Sequence, residues 1–354
     1  MSGGGAGEGR AEAGGAEVVA AMACSVAAPR PGIPGLTLTR ADFEAAYRNV
    51  APHICRTPML TSRSLSEVSG LDVRLKAELF QRGGSYKVRG PLNKIARLTE
   101  AERARGVICS SAGNHAQGVA IAARHYGVQA VVVMAENATR SKVAATEGYG
   151  ARVVLHGRIW DEANEKALEL VQKEGLTYIH PFDDPDLIAG QGSVGLEIME
   201  QFPEVEMVVV PIGGGGLISG ISMAVKSIDP GVRVVGVESS GAPAMKRSVE
   251  AGGCIVLEEM GCIIDGLRVL RVGDNTCSIV SRFVDEIVTL PDEQIFDAVL
   301  WMMTRTKLVT EGAAAPPVGA LLQGLVDAPH GTKTVCVLSG GNLDVEQLRG
   351  LSWN

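Results

Sequence analysis

The stretch M-V-V-V-P-I-G-G-G-G-L-I-S-G, residues 207–220, decides the fold. Its apolar start is typical of a strand buried on both faces, and four glycines then lead into a helical pattern. Glycines leave backbone N–H groups bare, and a helix N-terminus favours an anion by about 0.3–1 kcal/mol. The stretch lacks the Lys-[Ser/Thr] of a nucleotide P-loop and the spacing G-x-G-x-x-G. It therefore predicts a cradle for the phosphate of a smaller ligand, with a plain tight turn as the alternative.

The order strand, small-residue turn, helix recurs along the chain. Other short β-branched runs lie at 106–109, 130–133, 152–155, 232–237 and 334–338. Two of them end in small residues, at 110–113 and 339–341. A helix is predicted from Thr39, a suitable N-cap. The pattern predicts an α/β fold with open, mostly parallel sheets and a ligand beyond the carboxyl ends of the strands.

Composition excludes several classes of protein. The 354 residues include 33 Lys and Arg against 40 Asp and Glu, a net charge of −7, which disfavours nucleic acid or a membrane surface as a partner. No apolar run approaches the ~18 residues of a membrane span. The seven cysteines are odd in number and none forms a C-x-x-C pair, so neither a zinc site nor a redox pair is predicted. A reducing compartment, the cytoplasm, fits best.

Residues 1–38 are rich in Gly and Ala and are predicted to be a disordered N-terminal extension. An organelle-targeting peptide is the alternative. Glu8, Glu12 and Glu17 argue against it, because transit peptides are poor in acidic residues.

Three further segments carry groups suited to chemistry. In S-Y-K-V-R-G, residues 85–90, Lys87 is flanked by glycines, and a desolvated lysine can react with a carbonyl, although most lysines are solvated surface groups. In S-S-A-G-N-H-A-Q, residues 110–117, small residues at a helix start form an anion nest, with a packing role for His115 as the alternative. In S-G-G-N, residues 339–342, a serine hydroxyl ends a strand and is either a ligand contact or an ordinary N-cap.

Together the four segments, in their order along the chain, resemble the pyridoxal-phosphate enzymes of the serine/threonine dehydratase and serine racemase family. The resemblance covers residues 38–350. P-F-D at 181–183, G-Q-G at 190–192, D-G at 265–266 and E-G at 311–312 also match. The resemblance implies the fold-type-II architecture, similar to the tryptophan synthase β subunit, with two open twisted sheets flanked by helices. A large cofactor-binding domain would comprise 39–105 and 183–354, and a small domain 106–182. No C-terminal regulatory domain is expected.

The resemblance also implies the site. Lys87 would carry pyridoxal 5'-phosphate covalently and act as the base at the substrate Cα. The other cofactor contacts would be Tyr86, Asn114, Gly213, Gly214, Gly215, Gly216, Leu217, Gly266, Glu311 and Ser339. The substrate, through its carboxylate, would lie against Ser111, Ala112, Asn114 and His115.

Departures from the family pattern bear on the reaction. Related racemases carry a serine at the position of Ala112, and racemisation needs that second acid or base on the face opposite the lysine. They also tend to carry an arginine where this chain has Ala163. The family's divalent-cation site would use Glu238 and a second acid at the position of Ala244, and one carboxylate is a poor cage for Mg²⁺ or Ca²⁺.

We therefore expect an ammonia-lyase that converts L-threonine or L-serine to 2-oxobutanoate or pyruvate plus ammonia, acting as a homodimer. A serine racemase or a hydroxyaspartate ammonia-lyase of the same family is the alternative. An inactive pyridoxal-phosphate-binding sensor is the alternative from another class.

Overall fold

Ten strands and thirteen helices alternate along residues 38–344, the residues that this computed structural model describes. The helices are α1 (Arg40–Val50), α2 (Arg63–Ser69), α3 (Arg89–Ala96), α4 (Glu100–Arg105), α5 (Asn114–His125), α6 (Arg140–Gly148), α7 (Trp160–Glu174), α8 (Pro185–Gln201), α9 (Gly216–Lys226), α10 (Ala244–Ala251), α11 (Asp274–Phe283), α12 (Asp292–Arg305) and α13 (Pro316–Leu322). The strands are β1 (Met59–Thr61), β2 (Asp72–Ala77), β3 (Val107–Ser110), β4 (Ala130–Met134), β5 (Arg152–Leu155), β6 (Thr177–Tyr178), β7 (Met207–Pro211), β8 (Arg233–Ser239), β9 (Glu286–Leu290) and β10 (Lys333–Leu338).

The larger sheet has six strands in the order β1-β2-β10-β7-β8-β9. Only the edge strand β1 is antiparallel, and the other pairings are parallel. Every residue of β7 is buried, because helices cover both faces of the sheet. The carboxyl ends of β2, β10 and β7 consequently lie side by side at one edge.

The smaller sheet has four parallel strands in the order β5-β4-β3-β6. All four lie within the range predicted for the small domain. The domain boundaries themselves stay a prediction.

Helix ends follow the local sequence. Thr39 caps α1 with a reciprocal capping box to Asp42, as predicted. Asp184 caps the 17-residue helix α8 by accepting the N–H groups of Asp186 and Leu187. α8 and α9 touch backbone to backbone, since a Cβ on Gly220 would lie 2.6 Å from the backbone N of Gly192.

All six strands predicted from β-branched runs are confirmed, with ends that agree within two residues. The strands β1, β2, β6 and β9 were not predicted. The prediction for the N-terminal extension, residues 1–38, falls on residues 1–37 outside the described residues and on Leu38, the first described residue. No helix within 38–344 has the length and apolar character that crossing a membrane requires.

Candidate active site

Lys87 lies on a single 3₁₀ turn, Tyr86–Val88, between β2 and α3. Gly84 precedes the turn with a φ of +72°, a backbone conformation that glycine adopts readily. Ser85 then bridges to Gly340, and the backbone N–H of Tyr86 donates to Ser339 O at 3.1 Å. The lysine turn is thereby tied to the carboxyl end of the central strand β10.

The Lys87 amino group points toward the smaller sheet. Its Nζ donates to Pro181 O at 3.0 Å and lies 5.3 Å from the centre of the Tyr86 ring. Pro181 follows β6, so the lysine crosses from the larger sheet to the carboxyl edge of the smaller one. The predicted site residues at both sheet edges thus come together around it.

The glycine segment 213–216 closely fits its surroundings. A Cβ on Gly213 would lie 2.2 Å from Gly266 O, and a Cβ on Gly214 would lie 2.2 Å from the Phe182 ring. Gly215 caps α9 with a φ of +91° and no side-chain cap, which leaves the first N–H groups of the helix for a ligand. The buried Leu217 anchors the first turn of α9 in the core. This geometry is that of an anion cradle.

A second anion nest lies at the start of α5. Gly113 is its N-cap and offers no side chain, while Ser111 Oγ accepts the N–H of Gly113 at 3.2 Å. The half-buried Ala112 lies between them and packs against the core of the smaller sheet. The bare N–H groups at this helix start suit a carboxylate.

Asn114 joins this nest to the larger sheet. Its Nδ2 donates to both carboxylate oxygens of Glu311, at 2.7 and 2.9 Å, and its Oδ1 accepts from Asn342 at 2.8 Å. Burial raises the pKa of Glu311 to about 7, against the lowering effect of the Asn114 hydrogen bond and of the Lys87 charge. Glu311 can therefore carry or release a proton near neutral pH.

His115 is held as a neutral ring. Its Nε2 donates to Ile179 O at 3.0 Å, so the hydrogen is on Nε2 and Nδ1 is a bare acceptor. That Nδ1 is buried without a hydrogen-bond partner, and burial and the Lys87 charge lower the pKa of His115 to about 3. The ring has no N–H left for a substrate carboxylate, so the contribution predicted for His115 is confined to its backbone N–H.

Ser339 ends β10 with a neutral hydroxyl, whose Oγ donates to Ala313 O at 3.3 Å. Gly266, with a φ of +89°, lies against Ala313 on one side and the glycine cradle on the other. The predicted contacts Ser339, Gly266 and Gly213 are therefore neighbours.

Glu238, the residue that the family pattern places at the divalent-cation site, caps a helix in this structure. Its two carboxylate oxygens accept the backbone N–H groups of Met245 and Lys246, each at 2.8 Å, and so cap α10. Burial raises the pKa of Glu238 to about 7 in spite of these hydrogen bonds. No group of three metal-binding side chains occurs among the described residues. Both carboxylate oxygens of Glu238 are engaged in capping α10.

Three residues that support the site through hydrogen bonds, Thr276, Asp183 and Asn342, were not predicted as site residues. Thr276 donates from Oγ1 to Gly214 O at 2.9 Å, and its own N–H donates to Asp183 at 3.0 Å. Asn342 donates to Gly83 O at 2.7 Å, behind the lysine turn. The P-F-D and G-G-N motifs hinted at Asp183 and Asn342, whereas Thr276 lies in a helix start without a distinctive pattern.

These residues fit pyridoxal 5'-phosphate. A glycine cradle without side chains faces a helix N-terminus, where a phosphate binds well. A reactive amine, a partly buried carboxyl-amide pair and a neutral hydroxyl come from neighbouring strand ends, which is how a flat polar ring is held. The donor set therefore defines a pyridoxal-phosphate site.

Comparison with known proteins agrees. Residues 50–340 match the family model described as pyridoxal-phosphate dependent enzyme, and the chain belongs to this family. The L-threonine ammonia-lyase of Thermotoga maritima is 47% identical over 311 residues, 88% of this chain and 77% of that protein. The catabolic L-threonine dehydratase of Escherichia coli K12 is 44% identical over 87% of this chain and 94% of its own. The structure of maize serine racemase superposes with a TM-score of 0.85 at 33% identity, covering 89% of this chain and 96% of that one.

Proposed function

We propose that this chain is a pyridoxal-phosphate-dependent ammonia-lyase that converts L-threonine to 2-oxobutanoate and ammonia, and L-serine to pyruvate and ammonia. The observation that carries the proposal is the position of Lys87, whose turn is hydrogen-bonded to Ser339 and lies at the edge that also holds the glycine cradle. The sequence identity to two relatives named for L-threonine supports the substrate.

The roles of the side chains follow from their geometry. The N–H groups at the starts of α9 and α5 bind the cofactor phosphate and the substrate carboxylate, respectively. Pyridoxal phosphate supplies a sink for the electron pair left at the substrate Cα. Lys87 would hold the cofactor, and its free amine would accept the substrate Cα proton at Nζ. Pro181 O keeps that amine oriented toward the space between the two sheets.

Ser339 favours elimination over reactions with a long-lived carbanion. A hydroxyl cannot keep a pyridine nitrogen protonated as a carboxylate would. The electron sink is weaker as a result, and departure of the β-hydroxyl removes the negative charge as it forms. Loss of water from threonine and hydrolysis of the resulting enamine give 2-oxobutanoate and ammonia, so that the water lost is regained.

Serine racemase is the second candidate, favoured by the fold similarity to the maize enzyme. Ala112 argues against it. Inversion at Cα needs a proton donor on the face away from Lys87, and a methyl group cannot donate one.

Two further points belong to the proposal. We infer that the protein is a homodimer. Light scattering on the purified chain checks this, and the mass of a monomer would contradict it. We infer that the protein is located in the cytoplasm. Cell fractionation checks this, and recovery of the protein in an organelle would contradict it.

The decisive assay supplies purified protein with pyridoxal 5'-phosphate and a panel of hydroxy-amino acids. Production of 2-oxobutanoate from L-threonine, exceeding oxaloacetate from 3-hydroxyaspartate, supports the proposal. Net D-serine formation without 2-oxo acid would favour the racemase, and no reaction of any kind would favour a sensor protein.

A further inference from the structure

A cluster of four fully buried charges lies behind the lysine turn. Lys76 comes from β2, Glu78 from the turn after it, Arg89 from the start of α3 and Glu197 from α8, and all four side chains are 0% exposed. Two cations and two carboxylates leave the cluster neutral. Burying such groups is costly, and apolar residues of similar volume are often as stable. The cluster is thus poorly explained by stability alone.

Arg89 is at the centre of the cluster and uses every donor it has. Its Nε and Nη2 donate to Glu78 at 2.7 and 2.8 Å, and its Nη1 and Nη2 donate to Glu197 at 2.8 and 3.0 Å. The remaining Nη1 hydrogen goes to Ser193 Oγ at 3.0 Å. Two carboxylates on the fork of one guanidinium set its plane and direction, which a lysine ammonium could not reproduce.

The two carboxylates are themselves held. Lys76 Nζ donates to Glu197 at 2.6 Å, to Thr57 O at 2.9 Å and to Gln201 at 3.0 Å. Thr57 Oγ1 donates to Glu78 at 2.5 Å. Burial and the neighbouring Glu78 charge act in opposite directions on the pKa of Arg89, and the net result is upward. The cluster is therefore a fixed frame that joins β2, α8 and the start of α3.

The frame is directly connected to the reactive amine. Arg89 is two residues after Lys87, and the 3₁₀ turn runs into α3 at Arg89 without a break. The other end of the turn is held by the hydrogen bond from Tyr86 to Ser339. Helix α5 packs directly against the turn, since a Cβ on Gly118 would lie 2.6 Å from Lys87 O.

We propose that Arg89 is a positioning residue for the reaction, whose doubly paired guanidinium fixes the turn that aims Lys87 at the substrate Cα. This rests on the proposed role of Lys87. Arg89 does not touch the substrate, so it acts on the efficiency of the lysine rather than on substrate binding. A displacement of about 1 Å in a reacting group can cost 10²-fold in rate.

The test compares Arg89→Lys in the holoenzyme with a control at the opposite end of the same helix. Arg97→Lys is that control, because Arg97 is 53% exposed and pairs with Asp186 outside the cluster. The readouts are kcat and KM for L-threonine, the melting temperature, and the fraction of Lys87 linked to the cofactor after borohydride fixation, located by peptide mass spectrometry. We expect Arg89→Lys to lower kcat about 100-fold and to lower the linked fraction, with KM unchanged, and Arg97→Lys to alter neither.

Two more variants separate positioning from folding. Replacing Lys76, Glu78, Arg89 and Glu197 together by Met removes every charge while it keeps apolar volume, and we expect the melting temperature to stay near that of the wild type while kcat remains low. Ser193→Ala removes one hydrogen bond from Arg89 and should lower kcat about fivefold with little change in melting temperature. It keeps the proposal testable if the other variants do not fold.

The proposal is overturned if the fourfold Met variant has wild-type kcat, if kcat falls only in step with the melting temperature, or if Ser193→Ala leaves kcat unchanged. A wild-type protein that makes no 2-oxo acid would contradict the proposed function instead. The borohydride readout on Lys87 would then still report on Arg89.

Discussion

Three single residues of this site, His115, Ser339 and Ala112, each lack a group that a different role would require. The His115 ring donates its one N–H to Ile179 O, so it cannot also donate to a substrate carboxylate. Ser339, the proposed contact of the pyridine nitrogen, offers a hydroxyl that carries no charge. Ala112 cannot donate a proton. Under the proposed function, the limits at Ser339 and Ala112 favour elimination with Lys87 as the base.

Ala112→Ser tests the residue that separates the two candidate reactions. We expect the variant to form more D-serine per pyruvate from L-serine than the wild type does, because a positioned acid is worth about 10²–10⁴-fold. Chiral chromatography of both reactions measures this ratio, and total turnover can fall in the variant without affecting the conclusion. A wild-type protein that already makes D-serine as fast as pyruvate would remove the role given to position 112.

Glu311→Gln tests the protonation of the carboxyl beside Asn114. The folded chain holds this proton up to about pH 7, while the unfolded chain releases it near the ordinary value of 4.5. The unfolded state therefore binds fewer protons in that window, and the free energy of unfolding falls as pH rises from 4.5 to 7. The size is up to about 3 kcal/mol.

Gln stays neutral at every pH and should lack this dependence. Urea unfolding of both cofactor-free proteins at pH 5 and pH 7.5 gives the comparison. His115, whose lowered pKa has the opposite effect below 6.5, is common to both proteins and cancels. Parallel stability curves for the two proteins would show that Glu311 titrates normally.

At the scale of elements, the site depends on how closely the turns pack. The glycine cradle, the Phe182 segment and the start of α11 touch one another through Gly214, Gly215 and Thr276. Pro181, next to Phe182, accepts the hydrogen bond from Lys87. The cradle and the lysine therefore contact the same segment, Pro181–Phe182.

Gly214→Ala should weaken cofactor binding about tenfold to hundredfold, because its Cβ would overlap the Phe182 ring and overpacking costs about 1–3 kcal/mol. Gly148→Ala is the matched control, since nothing lies within 4 Å of the added Cβ at the end of α6. Titration of cofactor-free protein with pyridoxal 5'-phosphate, followed by absorbance, gives the dissociation constants. Equal affinity in both variants would mean that the cradle adapts freely.

Strands and helices whose residue pattern is complete within a short stretch of sequence could be predicted. A strand such as β7 is apolar along its whole length and ends in glycines. β2 was missed because Arg74 and Lys76 interrupt its apolar pattern. Buried Lys76 pairs with Thr57, Glu197 and Gln201, and Glu197 lies 121 residues further along the chain. β9 is a half-buried edge strand and β6 has two residues, so neither leaves a strong pattern.

At the scale of the whole molecule, the active site exists because two sheets present their carboxyl edges to one another. Short motifs predicted most residues of the candidate site, since each motif is a contiguous turn after a strand. The pairing of Asn114 with Glu311 joins residues 197 positions apart, and the acceptor for Lys87 is a backbone carbonyl that has no sequence signature. The distribution of the strands between two sheets is likewise a property of long-range packing.

The measurement that most directly tests the account is 2-oxobutanoate production from L-threonine by the wild-type protein and by Lys87→Ala, each saturated with pyridoxal 5'-phosphate. The account predicts steady production by the wild type, and for the variant a loss of turnover and of borohydride-fixed cofactor with an unchanged circular dichroism spectrum. Residual activity of the variant within about tenfold of the wild type would contradict the assignment of Lys87 as the base, since a positioned base contributes at least about 10²-fold.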